Sequence, residues 1–275
     1  MVFVNKLKLN LLGFEAVPNA RELGGYVLPD GGIIRHGLLL RGGSLSNATV
    51  ADKQKLCSDF QVARVFDFRT DMELKLSPDP EIVGAKNIWL PTIDPEMEKL
   101  GTATLPGEAY RNLPVYLSKH ASSPKVQEIA RHIYVDMVVN EYTQLQYAAF
   151  LQSIINTPEG AIYWHCSQGK DRTGLGSAFL LAALGADRDL IISDFDLSNV
   201  CYKDEVKALT DEIRRNGGGI EEEKVVRTFI GVNTDYFIDA LDLIDKTYGS
   251  LDDYLSQQLC LTDDDRVALR ERYLI

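Results

Sequence analysis

One stretch sets the terms for the rest of the chain: AIYWHCSQGKDRTGLGSAFLLAAL, residues 161–184. It reads as a buried strand, a tight glycine-containing loop and then a helix. Between Cys166 and Arg172 stand Ser167, Gln168, Gly169, Lys170 and Asp171. That spacing lets the loop curl so that its backbone N–H groups converge on a point above the sulfur. An anion held there meets the start of a helix, where unpaired donors and the macrodipole both favour negative charge. The planar fork of Arg172 matches two oxygens of a tetrahedral anion at once. The same field acts on Cys166: a free thiol titrates near 8.5, and a helix N-terminus beside a cation lowers that to roughly 3.5–7.5. A thiolate is then ready without a general base.

Free cysteines are most often small buried hydrophobes, and glycine turns are common between strand and helix. Here His165, Cys166, Gly169, Arg172, Thr173 and Gly174 coincide after an apolar strand. At average residue frequencies such a coincidence arises by chance on the order of once in a hundred thousand chains, so the reactive reading outweighs the packing one. The loop is not a nucleotide-binding GxxxxGK loop, because no Ser or Thr follows a Gly-Lys pair at that spacing.

With 275 residues, 45% of them hydrophobic, the chain can bury one large core, and a single domain over 1–275 is the simplest organisation. Its 29 basic and 40 acidic residues give a formal charge of −11, which argues against nucleic acid and against an anionic membrane surface as partners. Any anion site must therefore be a local basic pocket, here Arg172, Lys170 and backbone amides. The four cysteines show no metal-ligand spacing, so neither metal nor cofactor is expected. Their low number fits a reducing, cytoplasmic compartment, or a secreted protein if a leader has been removed.

Taken in order, residues 1–16 read as a short strand or arm. Residues 26–28 and 33–35 form a hairpin around Pro29-Asp30-Gly31-Gly32, followed by a core strand at 38–41. Arg21 and Arg41, each near a glycine pair, either face the anion pocket or serve as surface ion-pair partners. A helix at 46–56 capped by Ser46 precedes a buried strand at 61–69. Asp67 and Arg69 fall at its carboxyl end, where open α/β sheets bind ligands, and either orient the loop or form a structural salt bridge. Another strand, 86–90, leads to Asp94 between two prolines. Residues 91–121 read as a lid-like insertion. The helical spacing of 125–155 gives one long core helix, with Tyr134 as a packing residue. Gly185 caps the helix after the loop, and Asp187 starts another that runs toward residue 215. The glycines near 216–219 make 200–230 either an ordinary helix–helix connection or a candidate second lid. Amphipathic helices at 234–246, 250–258 and 262–272 close the fold.

HCSQGKDRTG resembles the signature loop of cysteine-dependent protein tyrosine phosphatases, in the version found in the bacterial and fungal tyrosine and dual-specificity enzymes, some of which also accept phosphoinositides. NARELGGYVLPDGGIIRHGLLLRGGSLS (19–46), VFDFRTDMEL (65–74) and TYGSLDDYL (247–255) are similar to that branch as well, so the resemblance spans nearly the whole chain. It implies an α/β fold with a central, mostly parallel sheet flanked by helices, with helical insertions. It also implies hydrolysis of phosphomonoesters through a cysteinyl-phosphate, with a phosphorylated protein or peptide, or a phosphoinositide, as substrate, and phosphate or sulfate able to occupy the loop. Cys166 is then the nucleophile, and Arg172 with the amides of residues 167–172 binds phosphate. Asp171 or Asp94 protonates the leaving oxygen and activates the water. Thr173 donates to the leaving thiolate, His165 braces the loop, and Lys170 adds charge for a second phosphate or an acidic headgroup. A catalytically idle phosphate-binding module is the rival reading, and Cys166 stands against it.

Overall fold

The run AIYWH is apolar on both sides because it becomes the middle strand of the sheet. The computed structural model describes residues 7–96, 98, 124–157 and 159–275. Among these, five strands form one sheet: β1 (Arg21–Glu22), β2 (Leu39–Gly42), β3 (Val62–Asp67), β4 (Lys86–Trp89) and β5 (Ala161–His165). Their spatial order is β1-β2-β5-β3-β4, with β1 antiparallel to β2 and every other pair parallel. Each residue of β5 is buried, as expected for a parallel strand covered on both faces.

The helices are α1 (Val50–Gln54), α2 (Asp71–Leu76), α3 (Pro124–Val139), α4 (Glu141–Ile155), α5 (Asp171–Leu184), α6 (Arg188–Cys201), α7 (Lys203–Arg215), α8 (Ile220–Phe229), α9 (Thr234–Tyr248), α10 (Leu251–Gln257) and α11 (Asp263–Tyr273). Side chains alternate across the sheet, so Ile162 and Trp164 join Phe66 in a large core with Phe150 of α4 and Phe179 of α5. Ala161 and Tyr163 point the other way, into a smaller core with Leu40, Val65 and Leu56. Each fully buried side chain of Phe or Leu size contributes roughly 1.5–3 kcal/mol. The large core fixes α5 against β5, and with it the loop between them.

The expected α/β architecture is present, and several boundaries differ. The helix expected over 125–155 is two helices, because Asn140 accepts a hydrogen bond from Thr143 N and caps α4. The helix from Asp187 likewise breaks at Tyr202, which ends α6 and starts α7. Ser46 is not the cap of α1; Thr49 is, because Asp52 at the third helical position completes a capping box with it, and a π-helical turn follows at Lys55–Asp59. The hairpin at 26–35 is a bridge, Val27 to Ile33, with hydrogen bonds from Leu28 N to Gly32 O and from Ile34 N to Tyr26 O, and Ile34 pairs with Leu274. Gly185, at φ 97°, caps α5 as its position suggests. In the 91–121 insertion, residues 97 and 99–121 lie outside the described residues. Helices α7 and α8, in the 200–230 segment, share a small apolar cluster of their own with Tyr202, Val206, Val226 and Ile230. No helix among the described residues is long and apolar enough to cross a membrane.

Candidate active site

Where β5 ends, the chain turns through residues 166–170 and enters α5. Gly169 has φ 68°, a left-handed conformation that glycine adopts without the Cβ penalty. Three loop carbonyls are held from outside. Ser167 O accepts from Ser44 N at 3.1 Å, Gln168 O from the Tyr202 hydroxyl at 2.6 Å, and Gly169 O from Asn19 Nδ2 at 2.7 Å and Arg41 Nη2 at 3.0 Å. In a planar trans peptide the next N–H points opposite to the carbonyl. Pulling these three oxygens outward therefore turns the N–H groups of Gln168, Gly169 and Lys170 toward the inside of the loop. Among the described residues, no N–H from Ser167 to Arg172 donates to another protein group.

Cys166 lies at the base of this ring, 2% exposed. Burial raises its thiol, but Arg172, the Thr173 hydroxyl and the Thr173 backbone N–H outweigh burial and bring it below the ordinary cysteine value. The Thr173 hydroxyl is buried with no hydrogen-bond partner of normal geometry among the described residues, and its electrostatic effect falls on the Cys166 thiol, which it lowers. Arg172, whose side chain is 12% exposed, meets the carboxylate of Glu73 through both Nη1, at 2.6 Å, and Nη2, at 2.8 Å. Burial pushes Glu73 up, yet Arg172 and the Ser167 hydroxyl hold it down at about 2.

The two acid candidates have different surroundings. Asp171, the first residue of α5, accepts from the Tyr134 hydroxyl and lies 2.9 Å from Lys170 Nζ. Lys170 is itself buried, so its ammonium is committed to Asp171. Asp94 caps its own segment, with Oδ1 accepting from Glu96 N at 2.8 Å and Oδ2 from Asn140 Nδ2 at 3.4 Å, and neither partner belongs to the loop. His165 Nδ1 lies 3.2 Å from Cys166 O and Nε2 lies 3.0 Å from Asp79 Oδ2. Burial lowers its affinity for a proton, and Asp67 and Asp79 more than restore it.

Asp67, Asp79 and His165 offer ligand atoms within 4.8 Å of one another. The cation among them is the guanidinium of Arg69, 2.7 Å from Asp67 and 2.8 Å from Asp79. Arg69 also donates to Ser44 Oγ at 2.9 Å, and Ser44 N in turn holds Ser167 O. Asp67 and Arg69 form the salt bridge of the second reading, and Arg69 reaches the loop only indirectly, through Ser44. Arg21 and Arg41 neither line the pocket nor form a surface pair; both are fully buried against Asp194.

A family model described as the tyrosine phosphatase family matches residues 12–275. The chain belongs to the tyrosine phosphatase family. A protein of Cupriavidus necator named "Putative tyrosine-protein phosphatase" is 28% identical over 96% of this chain and 88% of its own length. The triple specificity protein phosphatase PtpB of Mycobacterium tuberculosis is 38% identical over 33% of this chain and 36% of its own. This protein is therefore a hydrolase of phosphorylated substrates. Sequence reasoning about the tyrosine phosphatase loop missed Glu73, Asp194, Asn19 and Tyr202 as site residues and took Tyr134 for packing alone. Only Glu73 carried a local signal, because Thr70 and Glu73 have the spacing of a capping box, which they form.

Proposed function

We propose that this phosphatase hydrolyses phosphotyrosine, and phosphoserine and phosphothreonine besides, in two steps at Cys166. The observation that carries the reading is the buried Cys166 at the base of a loop whose N–H groups find no partner among the described residues, with Arg172 at the loop's far end. In the first step the Cys166 thiolate forms a bond to phosphorus and the ester P–O bond breaks. The leaving oxygen takes a proton from Asp171, and Arg172 with the loop amides stabilises the equatorial oxygens. In the second step the Asp171 carboxylate takes a proton from water as its oxygen attacks phosphorus. The S–P bond breaks, and the thiolate returns to the Thr173 hydroxyl.

Asp171 is favoured over Asp94 because it belongs to the loop itself. The breadth of substrate is supported by the PtpB relative, whose name states triple specificity. A phosphoinositide is the lesser reading, because Lys170, the cation available for a second phosphate, is spent on Asp171. Helices α7 and α8 serve as a lid over the site, a reading supported by their separate apolar cluster.

Rapid-quench reaction with a labelled aryl phosphate tests the chemistry. Label bound to protein should appear in a burst and vanish in Cys166→Ser. Asp171→Asn should lose about 10²–10⁴-fold in rate on esters with poor leaving groups while Asp94→Asn keeps the parent's pH profile. Full activity in Cys166→Ser, or a burst without label on Cys166, ends the proposal. Parallel kinetics on phosphotyrosine peptides, phosphoserine peptides and soluble phosphoinositides assign the substrate class.

A further inference from the structure

Asp194 of α6 sits between two buried guanidinium groups. Its Oδ1 lies 3.4 Å from Arg21 Nε and its Oδ2 is paired with Arg41 Nη1. Arg21 Nη2 donates to Asp194 O at 3.0 Å, and the Tyr26 hydroxyl donates to Asp194 Oδ1 at 3.0 Å. The side chains of Arg21 and Arg41 are 0% exposed and that of Asp194 is 1% exposed. Burying ions costs several kcal/mol each, and such clusters can often be replaced by apolar residues without loss of stability. Stability alone thus gives a weak reason for three of them here.

What distinguishes this cluster is where it ends. Arg41 uses its second terminal nitrogen, Nη2, on Gly169 O at 3.0 Å and on Lys170 O at 3.5 Å. Arg21 Nη1 donates to Asn19 Oδ1, and Asn19 Nδ2 donates to Gly169 O at 2.7 Å. Both arginines therefore act on one carbonyl, Arg41 directly and Arg21 through Asn19. The other basic side chains around the loop each have acidic partners close by: Arg172 with Glu73, Lys170 with Asp171, and Arg69 with Asp67 and Asp79. Two cations against one anion leave the Asp194 cluster with a surplus positive charge. Burial, followed by Arg21, draws Arg41 down to about 10, Asp194 opposes this, and the Cys166 thiolate is among the groups that favour its charged form.

We infer that Arg21, Arg41, Asp194 and Asn19 form a positioning device for the phosphate loop: they hold the Gly169 carbonyl outward, which aims the Lys170 N–H at the anion, and they place a buried positive charge behind it. None of the four touches substrate. The inference rests on the reading of Cys166 as nucleophile, and the experiment below separates the two.

In the full chain, the rate of carboxymethylation of Cys166 by iodoacetate is followed against pH by mass spectrometry of the Cys166 peptide, with and without inorganic phosphate. Arg41→Gln should move the midpoint of the thiol up by about one unit and weaken phosphate protection roughly tenfold. Arg41→Lys keeps the charge but cannot span Asp194 and Gly169 O at once, so its midpoint should stay near the parent's while phosphate protection weakens. Asn19→Ala removes a tie without removing charge and should do the same. Folded Arg41→Gln that matches the parent in both midpoint and protection overturns the inference. If Arg41→Gln does not fold, parental phosphate protection in both Arg41→Lys and Asn19→Ala overturns it. If phosphate fails to protect Cys166 in the parent itself, the nucleophile assignment falls instead.

Discussion

Glu73 and Arg172 meet edge to edge, carboxylate against guanidinium, through two contacts of 2.6 and 2.8 Å. Oε1 of the same carboxylate also accepts from the Ser167 hydroxyl. One side chain on α2 thus holds both ends of a loop whose two reactive residues lie close to those ends. The pair fixes the plane of the guanidinium before any phosphate arrives, and preorganisation of this kind avoids paying for it during the reaction.

Glu73→Gln should lower both activity and acid-sensitive stability. The Glu73 carboxyl is held at about 2 in the folded chain against an ordinary value of 4.5. Its contribution is therefore full above pH 4.5 and disappears as pH falls through 2. With a side chain 19% exposed, that contribution is on the order of 2 kcal/mol. Urea unfolding at pH 7, 5 and 3 should show the gap between parent and variant narrowing toward the acid end. A gap that stays constant with pH contradicts the assignment.

Gly169→Ala should abolish phosphate binding while leaving the remainder of the core in place. The position needs a left-handed φ, and an added Cβ would run into the backbone of Gly42 and Gly43 on β2 and just past it. Backbone cannot swing aside as a flexible side chain can, so the loop must shift, at about 2–4 kcal/mol of strain and overpacking. Calorimetry with inorganic phosphate should detect no binding, and far-ultraviolet circular dichroism should stay near the parent's. Parental phosphate affinity in this variant contradicts the geometry.

Thr173→Val should separate thiol chemistry from stability. The hydroxyl has no hydrogen-bond partner of normal geometry to abandon among the described residues, so the change should alter unfolding by no more than about 1 kcal/mol. A hydrogen bond to a charged group contributes roughly 1.5–3 kcal/mol, so the Cys166 thiol should titrate about one unit higher. The pH dependence of alkylation measures this, and an unmoved midpoint removes Thr173 from the mechanism.

The parts of the site that could be read from sequence are those lying together in the chain. Cys166, Gly169, Arg172 and Thr173 fall within one strand–loop–helix unit, where local spacing and chemistry determine geometry. Glu73 and Asn19 are far from the loop in sequence and reach it because β3 and β2 flank β5, with β1 added antiparallel to β2, whereas Asp194 reaches it because α6 packs against α5. Lys170 read as free charge because spacing says nothing about Asp171 turning back onto it. The break at Asn140 was missed for a different reason: apolar periodicity continues across a capped junction, so a helix pair and a long helix share one pattern. Thr49 and Ser46 are both good cap residues, and only the acidic residue three positions on decides between them.

The outward pull on the loop carbonyls has a kinetic corollary. Donors aimed at the terminal oxygens recognise the part of the substrate that orthophosphate retains after hydrolysis. The leaving group contributes nothing to that recognition, so the spent ion competes for the cradle on nearly equal terms. Turnover should slow as product accumulates, and assays in phosphate buffer would understate it.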